Sequence, residues 1–112
     1  MKKYIVLYHA PQGAVEKMAS ATPEDAQKGM EPWMEWAKRC GDKLLDMGTP
    51  LGKARKVTRQ GAVSSSSTVV GYSILQAETM DEAVEMLKNH PHLEWMDSCE
   101  VEVHEAMPLP GM

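Results

Sequence analysis

The sequence predicts a small α+β domain with the element order strand, helix, strand, strand, helix, strand. Three observations carry that expectation. Four short β-rich runs, Tyr4 to His9, Lys43 to Met47, Thr68 to Ala77 and Cys99 to Ala106, are interrupted by two segments with apolar residues at helical spacing. Each helical segment opens on a capping signature, Thr22-Pro23-Glu24-Asp25 in the first and Thr79 with Glu82 in the second. At 112 residues the chain is expected to be one domain, 1–112.

The first strand has apolar residues on both faces, as in a central strand covered on both sides. Ala10 to Ala21 contains Pro11 and Gly13 and is expected to be a loop with a helical turn. In the first helix Thr22 is the N-cap, Pro23 fits the first helical position, and Asp25 places negative charge at the positive helix end. Ala26, Met30, Trp33, Met34, Ala37 and Cys40 form one apolar stripe. Pro32 either kinks this helix or marks its true start. Gly41 is the expected stop.

Lys43 to Met47 is the second strand, closed by Gly48-Thr49-Pro50. Leu51 to Arg59 is polar and basic, with Val57 as a weak strand centre. Gln60 to Ser67, with Gly61 and four consecutive serines, is expected to be an exposed hairpin tip. The third strand carries the run Val69-Val70-Gly71-Tyr72-Ser73-Ile74-Leu75. The second helix shows an apolar stripe at Ala83, Met86 and Leu87, with Val84 beside it. It must end by His90, because the residue before Pro91 avoids the helical region. In the fourth strand Val101 and Val103 face one way, and Glu100, Glu102 and His104 the other. This order is the split βαβ, or ferredoxin-like, arrangement, with an antiparallel sheet. Helices would cover one sheet face, and the polar residues of the fourth strand mark a second face suited to a partner subunit.

Composition excludes several function classes. A net charge of −4 disfavours phosphate-backbone binding, so no nucleic-acid partner is expected. No stretch of about 20 apolar residues is present, so no membrane span is expected. The apolar run Ile5-Val6-Leu7 is too short for a signal peptide, and a cytoplasmic location is the default. Cys40 and Cys99 are too few for a disulfide scaffold and are expected to be reduced and buried. Ten methionines and no phenylalanine suit an irregular core, and the methionine count does not by itself indicate a binding surface. No Gly-rich phosphate loop occurs, and without a Gly-x-Ser-x-Gly elbow no serine nucleophile is supported.

Among chemistry-bearing residues, His9 stands at the end of the first strand. Taking strands one and three as parallel neighbours, with strand two antiparallel beside three, places His9, Gln76 and Asp46 at one sheet edge. A carboxylate beside a histidine makes a general base poised near neutral pH, so His9 and Asp46 are the catalytic candidates. The rival reading is a surface histidine and a turn aspartate. Trp33 belongs to the core stripe. Trp36 falls on its flank, where it would line a pocket or fill a core, and Glu31 with Glu35 makes a carboxylate pair beside it. Trp36, Tyr72 and Glu31 are the ligand-binding candidates. His90-Pro91-His92 offers two histidines without a third ligand at a recognised spacing. No metal site is expected there, and a helix C-terminus favouring imidazoles explains the pair. Lys53, Arg55, Lys56 and Arg59 form a basic patch, either an anion site or a solvated hairpin that discourages edge pairing.

The chain resembles the YCII-related family of dimeric α/β-barrel proteins over nearly its whole length. The resemblance rests on Tyr4-Ile5-Val6-Leu7-Tyr8, on the segment Lys43 to Leu51, and on Gly71-Tyr72-Ser73-Ile74-Leu75 followed by Asp81-Glu82-Ala83. It continues through His90-Pro91-His92-Leu93 and Val101-Glu102-Val103-His104-Glu105 with Met107-Pro108. It implies a homodimer with a small-molecule pocket between helix and sheet. It also implies, for some members, cofactor-independent lyase or hydrolase chemistry by a histidine–aspartate pair. The chain departs from the family where the first-helix histidine falls near Glu31, and where His9-Ala10-Pro11 replaces an aspartate after the first strand. The competing expectation is a non-catalytic ligand-binding or protein-interaction module.

Overall fold

The computed structural model describes residues 1–11, 13–14 and 20–111. The chain forms β1 (Lys2–His9), α1 (Pro23–Cys40), a 3₁₀ turn (Gly41–Lys43), β2 (Leu44–Asp46), β3 (Arg55–Thr58), β4 (Gly61–Ser64), β5 (Val69–Ala77), α2 (Met80–Leu87), α3 (His92–Trp95) and β6 (Glu100–Glu105). The main sheet has the order β2-β5-β1-β6 with every neighbouring pair antiparallel. With α1 and α2 as the crossovers, this is the ferredoxin-like α+β fold. The ribbon β3–β4 is a separate two-stranded sheet between the motif's second and third strands. The expected loop from Ala10 to Ala21 lies partly outside the described residues.

The caps operate as the sequence implies. Thr22 Oγ1 accepts from the Asp25 amide and Thr79 Oγ1 from the Glu82 amide, each at 3.1 Å. The Glu82 carboxylate reaches back to the Glu78 amide and also pairs with Lys43, tying α2 to the 3₁₀ turn. Pro32 neither starts nor breaks α1, which runs unbroken from Pro23. Both Pro32 and Lys28 are exposed, so the Lys28 carbonyl that loses its amide partner is open to water. Asn89 takes a left-handed φ of 61° after α2, which ends the helix ahead of Pro91.

The core lies on one sheet face. Tyr4, Val6 and Tyr8 from β1 and Leu75 and Ala77 from β5 pack against Trp36 of α1 and Ala83 and Leu87 of α2. Val101 and Val103 flank this cluster. The opposite face carries Ile5, Leu7, Tyr72 and Ile74, all half-buried, with Glu102 and His104 exposed beside them. Among the described residues, no side chain on that face is fully buried.

Four expectations are corrected. The adjacent strands β1 and β5 are antiparallel, not parallel. The crossover through α1 makes the second strand of the motif run with the first, and the turn back through the ribbon then reverses the third. Trp36, not Trp33, is the fully buried tryptophan of α1; its indole Nε1 donates to the Met86 carbonyl at 2.8 Å. Gln60 to Ser67 is not all tip, since Gly61–Ser64 pairs with Arg55–Thr58 as a strand. Cys99 is buried, but Cys40 is only half-buried.

Candidate functional site

His9 closes β1 at a break in register: Tyr8 pairs with Gly71, and His9 with Val69. Tyr8 points into the core, while the His9 ring emerges on the other side. Its Nδ1 lies 2.7 Å from Thr68 Oγ1 and its Nε2 lies 3.2 Å from Glu102 Oε1. The same carboxylate oxygen meets His104 Nε2 at 3.0 Å. Those contacts, His104 first and His9 second, hold the Glu102 carboxyl below the usual carboxylate range. His9, Thr68, Glu100, Val101 and Glu102 line an open groove of about 480 Å³. A second groove of about 210 Å³ continues from it past Ala10, Pro11 and Ser98.

The structure does not bring Asp46 to His9. Asp46 pairs with Ile74, which pairs with Ile5. Asp46 therefore lies two strands across and four residues along from His9, roughly 16 Å by strand spacing. Its Oδ1 accepts from the Gly48 amide at 2.8 Å, and its Oδ2 lies 3.4 Å from the Tyr72 hydroxyl. This is the turn aspartate of the rival reading. Gln76 pairs beside Lys3 at the far end of the sheet from His9. Tyr72 is half-buried on the uncovered face, Glu31 is exposed on α1, and Trp36 is enclosed in the core.

Sequence reasoning missed a buried polar chain directly behind His9. Among the described residues, His90, His92 and Ser73 are the buried polar side chains, and Tyr8 joins them. The His92 amide donates to His90 Nδ1 at 3.0 Å, so that nitrogen carries no proton. The His90 proton is then on Nε2, 3.2 Å from the Tyr8 hydroxyl. Tyr8 donates its hydroxyl hydrogen bond to Ser73 Oγ at 2.7 Å, and Ser73 donates to the Met47 carbonyl at 2.7 Å. Burial, with the charges of His92 and Arg39, pushes the His90 imidazole down to about 3. Burial raises the Tyr8 phenol well above its ordinary range. Both groups are thus neutral near pH 7, as the directed chain requires.

Aromatic rings enclose His90. Trp36 and Trp33 meet it edge-on at centroid distances of 4.4 and 4.5 Å, and Tyr8 lies at 5.0 Å. His92 donates from Nε2 to the His9 carbonyl at 2.7 Å. Its imidazole is also held down, chiefly by burial and then by the charge of His9, against the raising effect of that hydrogen bond. The signal available in the sequence was the pair of histidines flanking Pro91 beside an apolar stripe. Nothing local to it specified Tyr8 as the partner, because 82 residues separate Tyr8 from His90.

Among the described residues, no group of three or more His, Cys, Asp or Glu is placed to hold a metal ion. No described helix is long and apolar enough to cross a membrane. No known family profile matches the chain, and no curated protein sequence matches it. Solved structures do match. One is the 5-chloro-2-hydroxyhydroquinone dehydrochlorinase of Burkholderia phenoliruptrix in complex with 2,5-dihydroxybenzoquinone. It is 16% identical, with 91% of each chain covered and a TM-score of 0.48.

Proposed function

We propose that the protein is a cytoplasmic, YCII-related homodimer that binds a small molecule beside His9 and acts on it by cofactor-independent proton transfer, of the lyase or hydrolase class. The observation that carries this reading is His9 set between Thr68 Oγ1 and Glu102 Oε1 on a groove of about 480 Å³. That volume lies within the common range for small-molecule sites, about 300–1,000 Å³. Glu102 accepts from Nε2–H and stabilises the imidazolium formed when Nδ1 takes the Thr68 hydroxyl proton as that hydroxyl takes one from the substrate. Glu102 fills the role first assigned to Asp46, which is engaged in its own turn. Tyr72, on the same uncovered face, remains a candidate contact for ligand or partner. The half-buried Ile5, Leu7, Tyr72 and Ile74 support a second copy packed over that face.

The test is a turnover screen across small organic substrates, comparing the wild type with His9→Gln. The reading expects a bell-shaped pH dependence of kcat/KM and a loss of about 100-fold or more in the variant. Turnover retained in His9→Gln removes His9 as the base. Saturable binding without turnover across the screen replaces the enzyme with a non-catalytic ligand-binding module. Light scattering checks the dimer against the single-chain mass of 12.4 kDa.

A further inference from the structure

We propose that His92 is a positioning residue for His9: from inside the molecule its imidazole N–H holds the His9 carbonyl and so fixes the direction in which the His9 ring leaves β1 toward Thr68 and Glu102. The inference rests on the reading of His9 as the base. His9 sits where the β1–β5 register slips, so the regular ladder does not determine its backbone on that side. Three contacts restore the constraint. The Ala10 amide donates to the Thr68 carbonyl at 2.9 Å, the Tyr8 side chain is tied to Ser73 and His90, and His92 Nε2 lies 2.7 Å from the His9 carbonyl.

The orientation of His92 is itself determined. Its own amide is bonded to His90 Nδ1, and its ring packs against Tyr8 at 5.2 Å and Trp95 at 6.0 Å. His92 is 3% exposed, so its donor has no route to bulk water, and losing the acceptor would leave it unsatisfied. The buried side of the fold thus supplies a rigid second layer to an exposed imidazole. Such layers hold catalytic groups within the few tenths of an ångström that proton transfer demands. His92 does not touch the groove, which separates its role from that of His9.

The test needs no substrate, so an inactive protein would not confound it. In the wild type, NMR should detect a slowly exchanging His92 Nε2 proton and a scalar coupling across the hydrogen bond to the His9 carbonyl carbon. Absence of that coupling in the folded protein overturns the proposal. The second measurement is the titration midpoint of the Glu102 carboxyl, which is lowered by the His104 contact first and by the His9 contact second. His92→Leu should raise that midpoint to the value found in His9→Ala. His92→Gln, whose amide nitrogen can take the place of Nε2, should leave it near the wild-type value. A folded His92→Leu protein with the wild-type midpoint overturns the proposal. An equal rise in both His92 variants does so too, since bulk rather than the donor would then be responsible.

Discussion

His90 is a histidine employed in its neutral form, and its surroundings explain why. Two indole rings and a phenol ring shut the imidazole away from water, and a backbone amide donates to Nδ1, the position a second ring proton would need. The folded value is about 3 against 6.5 for an ordinary histidine, and His92 is shifted in the same direction. The unfolded chain therefore binds protons that the folded chain refuses. The contribution of these two rings is complete above pH 6.5 and is lost as the pH drops below it, continuing toward pH 3 for His90. For His90 the slope is about 1.4 kcal/mol per pH unit in that window, and His92 adds to it in the same direction. Glu102, whose folded value is lowered, loses its contribution only as the pH falls past the ordinary 4.5. Urea midpoints between pH 6.5 and 4.5 thus isolate the histidines. We expect a steady decline there, and a flat series would contradict the neutral chain. At this scale the sequence was only partly legible. His9 could be singled out because a histidine ending a strand is conspicuous locally. Its partners Thr68 and Glu102 lie 59 and 93 residues away, and no spacing rule reaches them.

Elements were more legible than residues because their signals are local. Thr22 and Thr79 cap the helices they were expected to cap, and β6 follows the alternation of valine with polar residues. Pro32 was ambiguous because its cost depends on whether the Lys28 carbonyl reaches water, which only the packed helix decides. The segment after β2 shows a similar dependence. Gly48 has φ 81°, and a Cβ at that position would stand 1.7 Å from the Tyr72 carbonyl oxygen. The glycine therefore lets the chain leaving β2 lie against β5, where Pro50 bridges Gly71 and Leu51 donates to Val70. Gly48→Ala should destabilise the fold by more than about 2 kcal/mol, since backbone strain and a backbone clash act together. Chemical denaturation checks this. Gly61→Ala is the control, having positive φ but open space around it, and it should cost less.

At the scale of the molecule, the strand order and an antiparallel sheet were expected correctly, while the parallel pairing of strands one and three was not. The consequence was specific: the parallel assumption moved Asp46 and Gln76 to the His9 end, and the antiparallel register takes both away from His9. Two faces result, one sealed by α1 and α2, the other holding the apolar and acidic residues offered to ligand or partner. The ribbon β3–β4 belongs to neither. All its residues are exposed, including Val57 at 79%, and Lys53 just before it, with Arg55, Lys56 and Arg59 in it, are its charged groups. An isolated two-stranded ribbon is marginal in water, so trypsin should cut there first. Cleavage after Arg59 leaves β1 and β2 on one fragment and β5 and β6 on the other. In the order β2-β5-β1-β6 those fragments alternate like interlaced fingers, so every ladder in the main sheet joins one fragment to the other. The nicked protein should elute as a single species under native conditions and separate only in denaturant, making the ribbon a point at which this fold can be divided into two complementing halves.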